Sequence, residues 1–224
     1  MENFEAIPFY HASVALRTEA LEVCVESLLR TDPLVKSLDI ACDVKRVFAL
    51  SALREVFYNE TCRSLSLMVI DKRSGHVVAA MLCADFFHQC HPSYEGVACT
   101  QWQAYLHALV SMEMYYKAVF DVSGRGNWMC HVISAVRDVD VRLRTELRKC
   151  LIVETINKAR NQGYSHVIGF HSNLMCQELA VDVGMDVIGN SCLLRDISFK
   201  EGKYFKNICP RNSRIMAMVY DFLV

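Results

Sequence analysis

The feature that most constrains the fold is the stretch 135–170, AVRDVDVRLRTELRKCLIVETINKARNQGYSHVIGF. Its two apolar ends are typical of β-strands, and its centre has the period of an amphipathic helix, with Leu147, Leu151 and Ile156 on one side. We predict that this helix spans 144–161. A strand, a helix and a second strand in this order form a crossover within a layered α/β domain.

Helical patterns dominate the first 60 residues. A first apolar stripe is interrupted at Pro33, because proline cannot continue a helix and restricts the residue before it. A second helix follows the proline. Its predicted apolar side consists of Val44, Val47, Phe48, Leu53, Val56 and Phe57.

Strand patterns alternate with helices in the rest of the chain. SLSLMVIDKRSGHVVAAMLCADFF predicts a β-hairpin around a charged turn, and TQWQAYLHALVSMEMYYKAVFDV predicts a helix. NLMCQELAVDVG predicts a short helix that ends at Gly184, and two apolar runs after it complete the sheet. We therefore expect one α/β domain over 1–224, with 88–127 as an insertion.

Composition limits the classes of function. The chain is 53% hydrophobic, which supports a large core, and its net charge of −1 argues against a general nucleic-acid binder. The longest apolar run, Val77–Ala84, is the length of a buried strand rather than a membrane span. The N-terminus carries early acids and no secretory pattern, so we predict a cytoplasmic protein.

The eleven cysteines are scattered, and no two have CxxC spacing. We interpret them as reduced thiols, most of them small core residues. One cluster, Cys83, His88, Cys90 and His91, contains metal-ligand residue types. These residues lie close together in the sequence, and no second cluster has the spacing of zinc ligands. We therefore expect no metal site.

The turn between the strand and the long helix is rich in basic residues. A helix N-terminus presents free N–H groups and a positive dipole end, and such turns often hold phosphate. Phosphate-binding turns usually contain glycine, and none lies between 127 and 162. From these residues alone, a phosphate site and the solvated face of a helix are equally open. The basic cluster comprises Arg137, Arg142, Arg144, Arg148 and Lys149.

Three stretches, in this order, carry a family resemblance: TDPLVKSL after the first helix, SLSLMVIDKRSGHVVAAML in the hairpin, and LLRDISFKEGKYFKNICPRNSRIM near the end. With this order of elements, the chain resembles the GNAT superfamily of acyl-CoA-dependent N-acetyltransferases, and within it the arylalkylamine N-acetyltransferases. The resemblance covers about Ala15–Val224. It implies a GNAT fold, with a central mixed sheet flanked by helices.

The resemblance implies acetyl-CoA as cosubstrate. Arg142 corresponds to the leading arginine of the pyrophosphate turn, while Leu143, Thr145 and Leu147 stand at its glycine positions. Glu146 would repel phosphate, whereas the neighbouring arginines would attract it. The preceding strand would offer main-chain groups to the pantetheine arm. The implied cofactor-binding residues are Ser134, Ala135, Val136, Arg142, Leu143, Arg144, Thr145, Glu146 and Leu147.

Three residues are implied in catalysis. Asp32 stands at the position of the family's catalytic glutamate, so it is either a general base, acting directly or through water, or a turn residue before Pro33. Ser172 and Cys176 stand at two family serines. Ser172 either binds a substrate or caps the following helix, and Cys176 either protonates a leaving thiolate or packs in the core.

The implied reaction passes acetyl from acetyl-CoA to a small primary amine, an arylalkylamine in the family, by direct attack in a ternary complex. The segment 88–127 would lie on the substrate side. Its aromatic residues either line the amine pocket or form a core helix. They are Tyr94, Trp102, Tyr105 and Tyr116.

Two other readings stay open. The chain could be a catalytically inactive relative that binds a ligand or a partner. This would explain three changes together: the replaced glycines of the turn, aspartate instead of glutamate at 32, and cysteine instead of serine at 176. An acyltransferase using another acyl-CoA is the third. A small-molecule amine is the expected partner, with neither nucleic acid nor membrane, and the oligomeric state is left open.

Overall fold

The computed structural model describes residues 2–88, 91–93, 95–121, 127–193, 196–205, 208 and 214–222. Seven strands form one sheet. They are β1 Phe4–Pro8, β2 Leu67–Asp71, β3 Val77–Asp85, β4 Trp128–Val136, β5 His166–His171, β6 Asp186–Leu193 and β7 Arg214–Asp221. The α-helices of these ranges are α1 Val14–Thr31, α2 Pro33–Ser37, α3 Cys42–Tyr58, α4 Glu60–Leu65, α5 Thr100–Asp121, α6 Val141–Asn161 and α7 Leu174–Asp182.

The sheet is mixed. Its strand order is β1-β2-β3-β4-β5-β7-β6, and every pair is antiparallel except β4–β5. Helix α6 makes the crossover between the parallel strands β4 and β5, as the strand–helix–strand pattern predicts. A central mixed sheet with flanking helices confirms the predicted fold class. Within the described ranges, no helix is long and apolar enough to cross a membrane.

Two hydrophobic clusters fill the two faces of the sheet. One contains the inward residues of α1, α3 and α5, among them Val25, Leu53 and Trp102. The other contains those of α6 and α7, among them Leu147 and Leu179. The helices therefore form one layer on each side of the strands.

Three sequence predictions need correction. Strand β1 was not predicted, and α6 begins at Val141 rather than at 144, because the Asp140 side chain accepts a hydrogen bond from the Leu143 N–H and starts the helix earlier. In α3, Val44 and Val47 are exposed rather than in the core. Val47 lies nine positions from the buried Val56, which at 100° per residue places it on the opposite side of the helix.

Strand β4 contains a β-bulge at the point where its pairing with β5 ends. In the β3–β4 register Cys83 pairs with His131 and Leu82 with Ile133, so Val132 is an extra residue on β4. The β4–β5 pairing ends at the same place, at His131 and Gly169. Beyond it the two strands run on unpaired with each other, and we call this region the strand gap (β4 residues Val132–Val136 and β5 residues Phe170–His171).

The core role of α6 makes a prediction. Leu147 is fully buried against the sheet, so Leu147→Ala should lower the free energy of unfolding by about 2–5 kcal/mol. The matched variant Val141→Ala, at a side chain that is 69% exposed, should change it by less than about 0.5 kcal/mol. Urea unfolding followed by circular dichroism measures both. Equal effects of the two substitutions would contradict the packing of α6.

Candidate active site

A pocket of about 120 Å³ lies at the strand gap. Its walls come from both faces of the sheet: Leu28 and Asp32 belong to the α1–α2 side, and Arg148 and Cys176 to the α6–α7 side. Ser134 of β4 lines it between them. The pocket therefore passes through the sheet at the place where β4 and β5 part.

Asp32 lies at the α1–α2 side of the pocket. One carboxylate oxygen accepts a hydrogen bond from the Val35 N–H at 2.9 Å and thereby caps the short helix α2. The other accepts from the Ser172 hydroxyl at 3.2 Å. Burial raises the pKa of the Asp32 carboxyl to about 6, against the lowering effect of these hydrogen bonds. One oxygen of Asp32 thus caps α2, and the other contacts Ser172.

Ser172 and Cys176 reach the same pocket. The N-cap of α7 is Asn173, whose side chain accepts from the Met175 N–H at 2.9 Å, so Ser172 does not cap this helix. The Cys176 Sγ lies 3.7 Å from Nη1 of Arg148. Burial raises the pKa of the Cys176 thiol, and the Arg148 charge lowers it by a smaller amount.

Arg148 is the least expected residue of the pocket. It lies on the inward face of α6 beside Leu147 and Leu151 and is only 1% exposed. Among the described residues, no carboxylate lies within ion-pair distance of its guanidinium, and its Nε has no hydrogen-bond partner. In the sequence it belongs to the basic cluster, for which a phosphate site and a solvated helix face are equally open. The signal for its burial was present, since it interrupts the apolar stripe of α6.

Two histidines complete the pocket. Burial lowers the pKa of His131 to about 3 and that of His171 to about 4, so both imidazoles are neutral at physiological pH. The Thr155 hydroxyl donates to main-chain carbonyls of its own helix and lies 2.9 Å from Nε2 of His131. Because its proton is used there, Thr155 accepts from His131, which leaves Nδ1 of His131 unprotonated.

Glycine at 169 makes room for His171. A Cβ at this position would lie 2.6 Å from Nε2 of His171, which is two residues along the same strand and on the same face. Neither histidine is among the site residues predicted from the sequence. Their strands show only a histidine within an apolar run, which is also typical of a core residue.

The residues predicted to hold pyrophosphate lie apart from the pocket. The Asp140 carboxylate occupies the N-terminus of α6, accepting from the Leu143 N–H at 3.0 Å. Arg144 pairs with Asp138 at 2.8 Å, and Arg142, 90% exposed, pairs with Glu146 at 3.2 Å. The Asp140 carboxylate thus occupies the end of the helix that attracts a phosphate, and Arg142 and Arg144 are each paired with a carboxylate. The charges of this turn therefore do not favour the phosphate end of coenzyme A.

The remaining predicted cofactor residues occupy three environments. The Thr145 hydroxyl donates to a carbonyl of its own helix, and Leu147 is buried in the core. At the strand gap, the Val136 N–H donates to Ser27 at 3.4 Å and its carbonyl accepts from Arg30 at 2.6 Å. Ala135 beside it is fully buried. Ser134 alone among the predicted cofactor residues lines the pocket.

The predicted amine-side aromatics are divided. Trp102 and Tyr105 line the pocket, whereas the Tyr116 hydroxyl donates to the Ile188 carbonyl at 2.9 Å on another part of the sheet. Tyr94 lies outside the described residues.

The cluster considered for a metal also includes an undescribed residue, Cys90. His91 lines the pocket, and its Nδ1 lies 2.7 Å from a Glu113 oxygen. In the described part of the chain, no group of three potential ligands could hold a metal ion.

No family model matches this chain, and no curated protein matches its sequence. Solved structures match it along nearly their whole length. The C-terminal condensation domain of Ebony, in complex with beta-alanyl-dopamine, has a TM-score of 0.74 at 14% identity and covers 97% of this chain and 98% of its own.

Two insect enzymes give similar values. A mosquito arylalkylamine N-acetyltransferase-like protein, 5b, has a TM-score of 0.73 at 14% identity, covering 98% of this chain and 100% of its own. The polyamine N-acetyltransferase of Drosophila melanogaster has a TM-score of 0.70 at 14% identity, with the same coverage. The chain has the GNAT fold of the arylalkylamine and polyamine N-acetyltransferases.

Proposed function

We propose that the chain is an N-acyltransferase that passes an acyl group to a small primary amine bound in the pocket. The observation that carries this proposal is the Asp32 carboxylate, held by Ser172 at the strand gap with a raised pKa. The fold, which is that of amine N-acetyltransferases, supports the same reading.

The proposed role of Asp32 is to take the proton that an amine must lose before it can attack an acyl carbon. A carboxyl with a pKa of about 6 is ionised at neutral pH, yet it holds a proton better than an ordinary aspartate. The proton moves from the ammonium nitrogen to the Asp32 oxygen that Ser172 also contacts. Ser172 orients this oxygen, while the Val35 N–H holds the other.

The acyl donor implied by the fold is acetyl-CoA. The Asp140 carboxylate at the N-terminus of α6 opposes its phosphate end. The residues of the pocket therefore account for the amine half of the reaction only. Acetyl-CoA stays the first donor to test, with other acyl-CoAs beside it.

The volume of the pocket limits the amine. A closed cavity of about 150 Å³ accepts benzene, so the pocket of about 120 Å³, which is partly open, favours a ligand of about five or six non-hydrogen atoms. A short aliphatic amine fits inside it, whereas an arylalkylamine would extend beyond it. We therefore propose a short aliphatic amine as the acceptor.

A second candidate is a ligand-binding protein without acyltransferase activity. The Asp140 carboxylate at the N-terminus of α6 favours it, because its charge repels the phosphates of any coenzyme A donor. Calorimetric titration with acetyl-CoA separates the two candidates. Micromolar binding supports the enzyme, and no binding up to millimolar concentration supports the ligand-binding protein.

The pKa of Asp32 predicts a pH dependence. The rate of acyl transfer at low amine concentration should rise with pH through about 6, as the carboxyl loses its proton. Asp32→Asn should lower turnover by about 100-fold and abolish this rise, while its side chain still caps α2. The control is Asp39→Asn, at an exposed aspartate seven positions later. Unchanged turnover in Asp32→Asn would remove Asp32 from the mechanism.

The negative N-terminus of α6 predicts a gain of coenzyme affinity. Asp140→Asn keeps the cap and removes the charge, so coenzyme A should bind about two- to fivefold more tightly than to the native chain. The matched control is Asp43→Asn, which removes an exposed charge from the first turn of α3. Calorimetry at low salt measures all three proteins. Equal affinity of Asp140→Asn and the native chain would show that this carboxylate does not oppose phosphate.

A further inference from the structure

The starting point is a buried positive charge without a counter-charge. Arg148 is 1% exposed, and its closest polar contact is a thiol, the Sγ of Cys176 at 3.7 Å. The other charges that act on it are those of Arg144 and Arg30, which are also positive. Leaving a guanidinium unpaired in the interior is destabilising, as it is when one partner of a buried ion pair is removed. An anion at this site would offset that cost.

Further polar groups without partners line the same pocket. Oγ of Ser134, Nε of Arg148, Nδ1 of His131 and Nε2 of His171 are all buried, and none has a hydrogen-bond partner among the described residues. Buried polar atoms are normally satisfied, so several at one pocket indicate a polar ligand. Ser134 and Arg148 can donate hydrogen bonds to an anion. The unprotonated Nδ1 of His131 can accept one from a ligand N–H.

Opposite charges face the pocket from opposite sides of the sheet. Asp32 belongs to the α1–α2 side and Arg148 to the α6 side, and both charges act on Cys176, which lies in the pocket wall. A ligand that spans the strand gap therefore meets a carboxylate at one end and a guanidinium at the other. A molecule with an ammonium group and a carboxylate matches this arrangement.

We infer that the pocket binds a small amino acid, with its carboxylate on Arg148 and Ser134 and its amino group towards Asp32. The volume of about 120 Å³ favours about five or six non-hydrogen atoms, the size of glycine, alanine or β-alanine. This inference depends on the proposed function in one respect only, namely that the bound amino acid is the amine that is acylated. Binding itself needs no acyl donor and is measured without one.

The test is a calorimetric titration of the reduced protein with three compounds: β-alanine, propionate, which lacks the amino group, and ethylamine, which lacks the carboxylate. β-Alanine should bind at least tenfold more tightly than either of the others, because it alone meets both charges. Glycine and γ-aminobutyrate, one methylene shorter and longer, then define the spacing. Equal affinity for β-alanine and ethylamine, or no binding of β-alanine, would overturn the inference. Equal affinity for β-alanine and propionate would assign a plain carboxylate instead.

Arg148→Met is the decisive variant, with Arg160→Met, at an exposed arginine of the same helix, as control. Arg148→Met should lose at least tenfold in affinity for β-alanine, and Arg160→Met should lose nothing. Without ligand, Arg148→Met should be at least as stable to heat as the native chain, because it removes an unpaired buried charge. A lower melting temperature with unchanged β-alanine binding would make Arg148 a structural residue only.

A second variant covers a failure of Arg148→Met to fold. Ser134→Ala removes a hydroxyl that has no partner in the described structure, so it should fold normally and still weaken β-alanine binding severalfold. The outcomes for the two proposals are distinguishable. Acyl transfer to ethylamine without preference for amino acids would keep the proposed function and reject the inference. Tight β-alanine binding without acyl transfer would keep the inference and favour the non-catalytic candidate.

Discussion

The β-bulge at Val132 is the feature on which the rest of the molecule depends. One extra residue on β4 ends its pairing with β5 at His131 and Gly169, and the pocket lies where the two strands separate. A continuous ladder would have paired this backbone and closed the sheet. The opening instead leaves main-chain groups such as those of Val136 to be satisfied by Ser27 and Arg30 of α1. The same opening lets residues from both faces line one pocket.

Electrostatics divides this pocket into two ends. On the α1–α2 side, burial keeps the Asp32 carboxyl closer to neutrality than an exposed aspartate. On the α6–α7 side, Arg148 carries a charge that no described side chain balances. The two histidines of the same pocket are neutral, because burial disfavours their charged forms. Without a ligand, the unpaired charge of Arg148 destabilises the folded protein. A ligand with a charge of each sign would offset this cost, and the free energy recovered would contribute to binding.

In the turn before α6, the charged side chains have partners within the protein. Its basic residues suggested a phosphate site, yet Arg144 is paired with Asp138, and Asp140 caps the helix. The helix dipole is thus stabilised by the protein's own carboxylate. The fold is that of amine N-acetyltransferases, while the local charge of this turn opposes phosphate. The proposed function and its non-catalytic alternative differ at this point.

The sequence alone determined the layered α/β order and the crossover through α6, and the family resemblance singled out Asp32, Ser172 and Cys176, which line one pocket. Apolar periodicity and turn residues are local signals, and the family resemblance supplied the residues of the site. The sequence could not determine that Val132 is a bulge, that Arg148 points inward or that His131 and His171 face the same pocket. These features depend on register and on packing between elements far apart in the chain. An arginine in a basic run has the same local signature whether it is solvated or buried, and only the tertiary structure decided between the two.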